Sequence, residues 1–168
     1  MVDVSMFISF AKSTRIWRDQ ILKKMAEVGC SDLSARPSSG MSAFGWLIAH
    51  QAAVFDYTVN VLVKRQSPRN PTLFNLYVPG TSGEWDGTTT LDEMFTYYDD
   101  SEQEFFEWLS SASPDDLDRI VEGEGVPKFF TGLTVMEVIG HMFAHLNYHT
   151  GHLESLRRDW MAQKMRTI

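Results

Sequence analysis

Cysteine is nearly absent from this chain of 168 residues. Cys30 stands alone, so no internal disulfide and no cysteine-built metal cluster can form, a usage that suits a reducing cytoplasm. A single thiol just past the end of a predicted helix reads as a buried bystander rather than a nucleophile. Basic charge is also scarce: 15 Lys and Arg stand against 22 Asp and Glu, leaving a formal charge of −7. That is the wrong sign for a surface that must neutralise phosphates, which argues against nucleic acid as a partner. Long apolar runs are missing as well. Charge interrupts them, and Met1 to Phe10 has no basic region followed by a continuous apolar segment, so neither a membrane span nor a signal peptide is expected. There is no low-complexity stretch, internal repeat, domain linker or convincing strand run. What remains, 43% hydrophobic and 22% charged residues, is the mix of one globular domain over residues 1–168, long enough to bury a single sizeable core.

The patterns that are present are helical. From about Val4 to Val28, the residues Phe10, Trp17, Ile21, Met25 and Val28 recur at spacings of seven, four, four and three, an amphipathic helix that Gly29 is placed to end. A polar loop, SDLSARPSSG, follows. The next stretch, MSAFGWLIAHQAAVFDYTVNVLVKRQ, is apolar nearly all round, which predicts a second helix buried on more than one side. From Gln66 to about Thr89, Pro68, Pro71, Pro79, Gly80, Gly83 and Gly87 break any helical pattern; the long loop this implies is expected to shape or cover a site. Thr90 with Glu93 has the form of a capping box, and Met94, Phe95, Tyr98, Phe105 and Leu109 outline a third helix to near Ser111. Ser113 followed by Pro114 starts a short helix before Gly123 and Gly125. Thr134 with Glu137 caps the last helix, which runs to about Met161 with Val135, Ile139, Phe143, Leu146, Leu153, Leu156 and Trp160 on its packing side. The expectation is an all-α four-helix bundle with a long loop between its second and third helices.

The five histidines concentrate at two places: His50 alone, then His141, His145, His149 and His152, spaced 4, 4 and 3 apart. At 100° per residue the last three return to about 40°, 80° and 20° from His141, so all four imidazoles share one helix face. Crowded imidazoles are costly if protonated and waste buried area if neutral, unless something binds their free nitrogens. A divalent metal does so, and an i, i+4 pair is a usual way to present two imidazoles to one ion. In a bundle the second and last helices could face one another and bring His50 to the stripe. Three histidines would leave a tetrahedral ion one open position, for water, a substrate atom or a thiolate. Hydrolysis, thiol transfer and isomerisation all stay chemically open at such an ion.

The stripe is not the metalloprotease motif, because Met142 follows His141 and Leu146 follows His145 where a glutamate is needed. No G-x-S-x-G elbow occurs, and Gly123-Glu-Gly125 is too short for a phosphate loop. The last helix, HMFAHLNYHTGHLESLR, instead resembles the signature of the DinB and YfiT-like family of four-helix metalloproteins, H-x-x-x-H-x-x-x-H-x-G-Q/H before an apolar residue. GWLIAH in the second helix resembles that family's first ligand motif. The resemblance implies His50, His145 and His149 as ligands of zinc, nickel or iron, with Thr150-Gly151-His152 following His149 as the family's ending does. His152, where many relatives carry glutamine and some histidine, becomes the candidate catalytic residue, hydrogen-bonding bound water or orienting a ligand. His141 is left between a supporting role and plain core. Trp46 and Tyr57, one turn before and two turns after His50, are candidate pocket walls or core. Asp56 points elsewhere and is not read as a general base. Asn147 and Tyr148 are expected to face away from the stripe, and Glu154 to be solvated or in contact with a neighbouring helix.

The resemblance further implies a cytoplasmic metal-dependent enzyme. Relatives include thiol-dependent S-transferases and a maleylpyruvate isomerase that use a low-molecular-weight thiol such as bacillithiol or mycothiol, and members described as hydrolases. A site with metal activation and little proton-transfer machinery favours the S-transferase, with a hydrolase using metal-bound water as the alternative. A non-catalytic, stress-related metal-binding protein is the reading from another class, and a fourth protein ligand such as His152 closing the ion would mark it. The expected partners are a small-molecule substrate, a thiol and a second copy of the chain, with neither nucleic acid nor membrane.

Overall fold

Side-chain caps set several of the helix starts in the computed structural model, which describes residues 4–36, 38, 40–123 and 125–166. Helix α1 spans Ser5–Glu27, α2 Phe44–Asp56, α3 Pro71–Tyr77, α4 Leu91–Ser111, α5 Pro114–Asp118 and α6 Val135–Arg166. Thr90 and Glu93 form a reciprocal capping box at the start of α4, and Ser113 and Asp116 do so at α5. At α6 Thr134 receives the Glu137 backbone N–H while Glu137 accepts from Thr134. Each exchange satisfies donors that the first turn of a helix leaves free. Among the described residues the only β feature is an isolated bridge between Ile120 and Thr134. Among the described residues no helix is long and apolar enough to cross a membrane.

Helix α2 lies between α4 and α6, and α1 closes against α6. Every residue of α2 is buried, as an all-round apolar sequence requires. Its cap position is Ala43, which offers no side-chain acceptor; the first amides are taken by loop carbonyls, Ala43 N–H to Gly83, Phe44 N–H to Ala35 and Gly45 N–H to Leu33. Gly45 is needed there for space. A Cβ would stand 2.9 Å from the Trp85 ring and 3.2 Å from Leu33, so the loop could not seat against the helix start. Past Asp56 the helix continues as a wider π-helical segment, Tyr57–Val63, of the kind often found beside functional sites.

Two expectations from the sequence need correction. The buried stripe of α1 is Phe7, Ala11, Thr14, Arg18, Ile21 and Met25, whereas Phe10 and Trp17 keep about half their surface exposed, at 48% and 57%. A heptad-like rhythm runs through Thr14 and Arg18 because Arg18 has somewhere to go: its guanidinium lies 3.8 Å over the Tyr98 ring and binds Asp19. The segment after Gln66 is also not uniformly irregular. Pro71, read as a breaker, is the first residue of α3, and Asn70 is its cap, with Asn70 Oδ1 accepting from Leu73 N–H.

The buried carboxylate of Asp56 fastens this segment to the bundle. It accepts from Tyr97 Oη at 2.7 Å on α4, from Asn60 Nδ2 at 2.8 Å in the π segment, and from the backbone N–H groups of Arg69 and Asn70 at 2.9 and 3.3 Å. A carboxylate so paired is structural, in keeping with Asp56 not being a general base. Asp56→Ala strands these donors and should lower the unfolding free energy by about 3 kcal/mol, while Tyr97→Phe removes one bond and should cost about 1 kcal/mol. Urea denaturation of both variants checks this, and a loss below the Tyr97→Phe value for Asp56→Ala would contradict it.

Candidate metal centre

His50 projects from the middle of α2 towards α6, where His145 and His149 stand one turn apart. Tyr77, the last residue of α3, presents its backbone carbonyl to His50, and Nδ1–H donates to it at 2.6 Å. A carbonyl can only accept, so this bond fixes the tautomer and turns a bare Nε2 lone pair inwards. His50 Nε2 lies 2.9 Å from His145 Nε2, and His149 Nε2 lies 3.0 Å from the same atom. A neutral His145 can offer at most one proton at Nε2 and can give it to one neighbour, so both contacts cannot be hydrogen bonds together. A cation between three lone pairs satisfies all of them. Zinc–nitrogen bonds imply roughly 3.3 Å between tetrahedral ligand atoms, a few tenths longer than the spacing here. The three side chains offer ligand atoms all within 4.8 Å of one another, and no other His, Cys, Asp or Glu among the described residues joins them.

Electrostatics prepare the same atoms. Burial pushes the His50 imidazole down to about 3, with His145 nearby acting in the same direction and the Tyr77 carbonyl opposing it. Burial, then the neighbouring His50, His145 and His152 rings, push His149 down to about 2. His145 is lowered by burial and by His152. All three are therefore neutral near pH 7, the state a metal needs in its ligands. The Trp46 indole lies flat on His50, with centroids 4.0 Å apart and planes 14° from parallel, and its Nε1–H donates to Thr81 Oγ1 at 2.9 Å.

The remaining candidates fall in different places. His152 is outside the group of three, with its ring 5.2 Å from His149 and 4.2 Å from Tyr148, and its buried Nδ1 has no partner in the protein. His141 is exposed and sits 5.8 Å from the Phe130 ring, so it belongs neither to the core nor to the cluster. Tyr148 is largely exposed, but it packs against His149 as well as His152 and so does not fully turn away from the stripe. Glu154 pairs with Arg157 and Arg158 on its own helix. The Cys30 thiol is buried and pushed up by that burial, away from the reactive thiolate range.

A cleft of about 810 Å³ opens beside His145, between the π segment, the region of α3 and the loop after it, α6, and the 3₁₀ turn Lys128–Phe130. Tyr57 lines it as its position suggested, whereas Trp46 covers His50 instead. The sequence reading missed the rest of this wall, Phe74, Val78, Phe129 and Phe130 among it. Phe74 lies on the short α3, and Phe129 and Phe130 on a three-residue turn, segments too short for periodicity to announce which side chains converge.

The centre is thus built from the two segments carrying GWLIAH and the histidine stripe. No curated protein matches the chain. A family model does, that of the DinB superfamily, over residues 16–153, a span that takes in both motifs and reaches from within α1 to within α6. With the helical fold and the three-histidine cluster in place, the match identifies this chain as a member of the DinB superfamily, a superfamily of metal-binding proteins.

Proposed function

We propose that the protein is a metal-dependent enzyme in which His50, His145 and His149 hold zinc, nickel or iron, and that it transfers a low-molecular-weight thiol to a small electrophilic molecule. The observation that carries the reading is the convergence of three Nε2 atoms at 2.9 and 3.0 Å spacing on lone pairs that protons alone cannot satisfy. When bound, the ion supplies Lewis acidity, lowering the pKa of a thiol or water and polarising a carbonyl or leaving group. With no fourth side chain among the described residues joining the three, a position is left for a reactant, which favours an enzyme over a closed, non-catalytic site.

The protein's own groups prepare this reaction. The Tyr77 carbonyl orients His50, burial keeps His50 and His149 deprotonated, and Trp46 excludes water from one face of His50. Among the described residues neither Asp nor Glu lines the cleft beside His145. A thiol needs little help from a general base once its pKa has fallen, whereas water needs more, so the lack of a carboxylate favours sulfur as the nucleophile. In the transfer, sulfur bonds to the electrophilic carbon, the leaving group departs with its electron pair, and the thiol proton passes to solvent. A hydrolase is the second reading. It is favoured by His152, whose partnerless Nδ1 is a spare proton acceptor beside His149.

Plasma mass spectrometry of untagged protein purified without chelators should find about one equivalent of metal. His145→Ala and His149→Ala should abolish tight binding and His50→Ala should weaken it strongly, while His141→Ala and His152→Gln should retain the ion. Metal retained by the His50→Ala, His145→Ala double variant would overturn the assignment. Thiol consumption with an electrophile then separates transferase from hydrolase, since product formed without thiol selects the second reading.

The depressed imidazoles also set a pH dependence for the metal-free protein. Unfolded histidines take up a proton below about 6.5, whereas folded His50 stays neutral to about 3 and His149 to about 2. Between those values the unfolded state binds more protons, so stability is full above about 6.5 and falls as the pH drops towards 3. Denaturation midpoints of the chelator-treated protein across this window should show the decline, and it should shrink in His50→Ala. A midpoint independent of pH would contradict the buried neutral state.

A further inference from the structure

The cleft beside His145 has an unusual charge inventory for a protein of this composition. The chain carries 37 formally charged side chains, 15 basic and 22 acidic, yet among the described residues no Asp, Glu, Lys or Arg lines the cleft. Its walls are mainly apolar, with Tyr57, Phe74, Phe129 and Phe130 supplying aromatic surface and Thr58, Gln66, Asn75 and His141 uncharged or weakly basic polar groups. Phe129 is 73% exposed at the mouth, a large apolar surface left in water at the edge of a cavity of ligand size. His145 alone of the three clustered histidines both lines the cleft and contacts the other two. It is half-buried while His50 and His149 are buried, so the cluster is approached from this side.

We infer that the cleft is a binding site for an uncharged, predominantly apolar small molecule, which lies between the π segment and the Phe129–Phe130 turn with its reacting end towards His145. This rests on the reading of the three histidines as the reaction centre, and it assigns the cleft to the electrophile. An anionic thiol would find no cation among the lining residues, and an unpaired charge moved into an apolar cavity is strongly disfavoured. The charged parts of such a thiol therefore stay in solvent, and only its sulfur needs to reach the histidines. The volume, about 810 Å³, lies in the range of pockets that enclose drug-sized ligands.

A matched pair of fluorescent probes tests the charge rule. N-Phenyl-1-naphthylamine is uncharged, and 1-anilinonaphthalene-8-sulfonate is the same ring system with an added sulfonate. Titrated into the full-length, chelator-treated protein, the neutral probe should bind at one site at least about tenfold more tightly than the anion. Ala144→Phe, which places a ring in the cleft next to His145, should weaken the neutral probe about tenfold or more with an unchanged melting temperature. His50→Ala should leave probe binding intact. Metal content is scored separately on the same preparations before chelator treatment and after reconstitution, so a centre that holds no metal in either state, with normal probe binding, would sink the enzyme reading and keep the cleft. Equal or tighter binding of the anion overturns the inference, as does insensitivity to Ala144→Phe. So does a concentration-dependent dimer in light scattering that excludes the neutral probe, which would make a second copy the occupant.

Discussion

Complete burial of α2 is the constraint on which the rest of the structure depends. A helix with no solvent face has only the protein to satisfy its polar side chains, and an unpartnered buried group costs a large part of a small folded-state stability. The Gln51 amide has no partner in the protein, but His50 Nδ1 is satisfied by the Tyr77 carbonyl, and Asp56 by a hydroxyl, an amide and two backbone N–H groups. Both solutions draw on the same connecting segment. The carboxylate holds the entrance to α3 and the imidazole holds its exit, so a short helix that contributes little core of its own is fixed at both ends.

Site and fold are therefore one arrangement. The residues that anchor α3 to α2 also place Phe74 and Val78 in the cleft wall and bring the next loop over Trp46 through Thr81. Gly45 extends this to the helix start, where the Trp85 ring occupies the space of a side chain. Motif residues such as Gly45 and Trp46 thus act on the histidine cluster through the loop that they seat. That loop also contributes Pro79 and Gly80 to the cleft wall, so geometry at the histidines and shape of the cavity are not independent variables.

Much of this was legible in the sequence, for identifiable reasons. Capping pairs such as Thr90 with Glu93 are local chemistry and read directly, and the histidine stripe on α6 follows from helical period alone. His50 was marked by its isolation within an apolar helix, but its meeting with His145 is a tertiary contact that no spacing encodes. The face of α1 was misjudged because the apolar spacing through Phe10 and Trp17 passes over Thr14 and Arg18, which are buried, Arg18 being accommodated by the Tyr98 ring. Asn70-Pro71 carried a readable helix-start signal that was masked by the prolines and glycines around it. The cleft wall was beyond reach, since Phe129 and Phe130 lie on a short turn whose position depends on the packing of α5 and α6 around it.

The stacking of Trp46 on His50 has a consequence outside chemistry and stability. An indole in plane contact with an imidazole, 4.0 Å between centroids, senses the electronic state of that ring, because positive charge placed on the imidazole acts directly on the electron-rich indole face. Of the five tryptophans Trp46 makes this contact, and Trp17, Trp85, Trp108 and Trp160 do not share it. The same side chain that covers one face of His50 is therefore a native reporter on it: positive charge arriving at that imidazole should change the Trp46 share of the emission from five tryptophans.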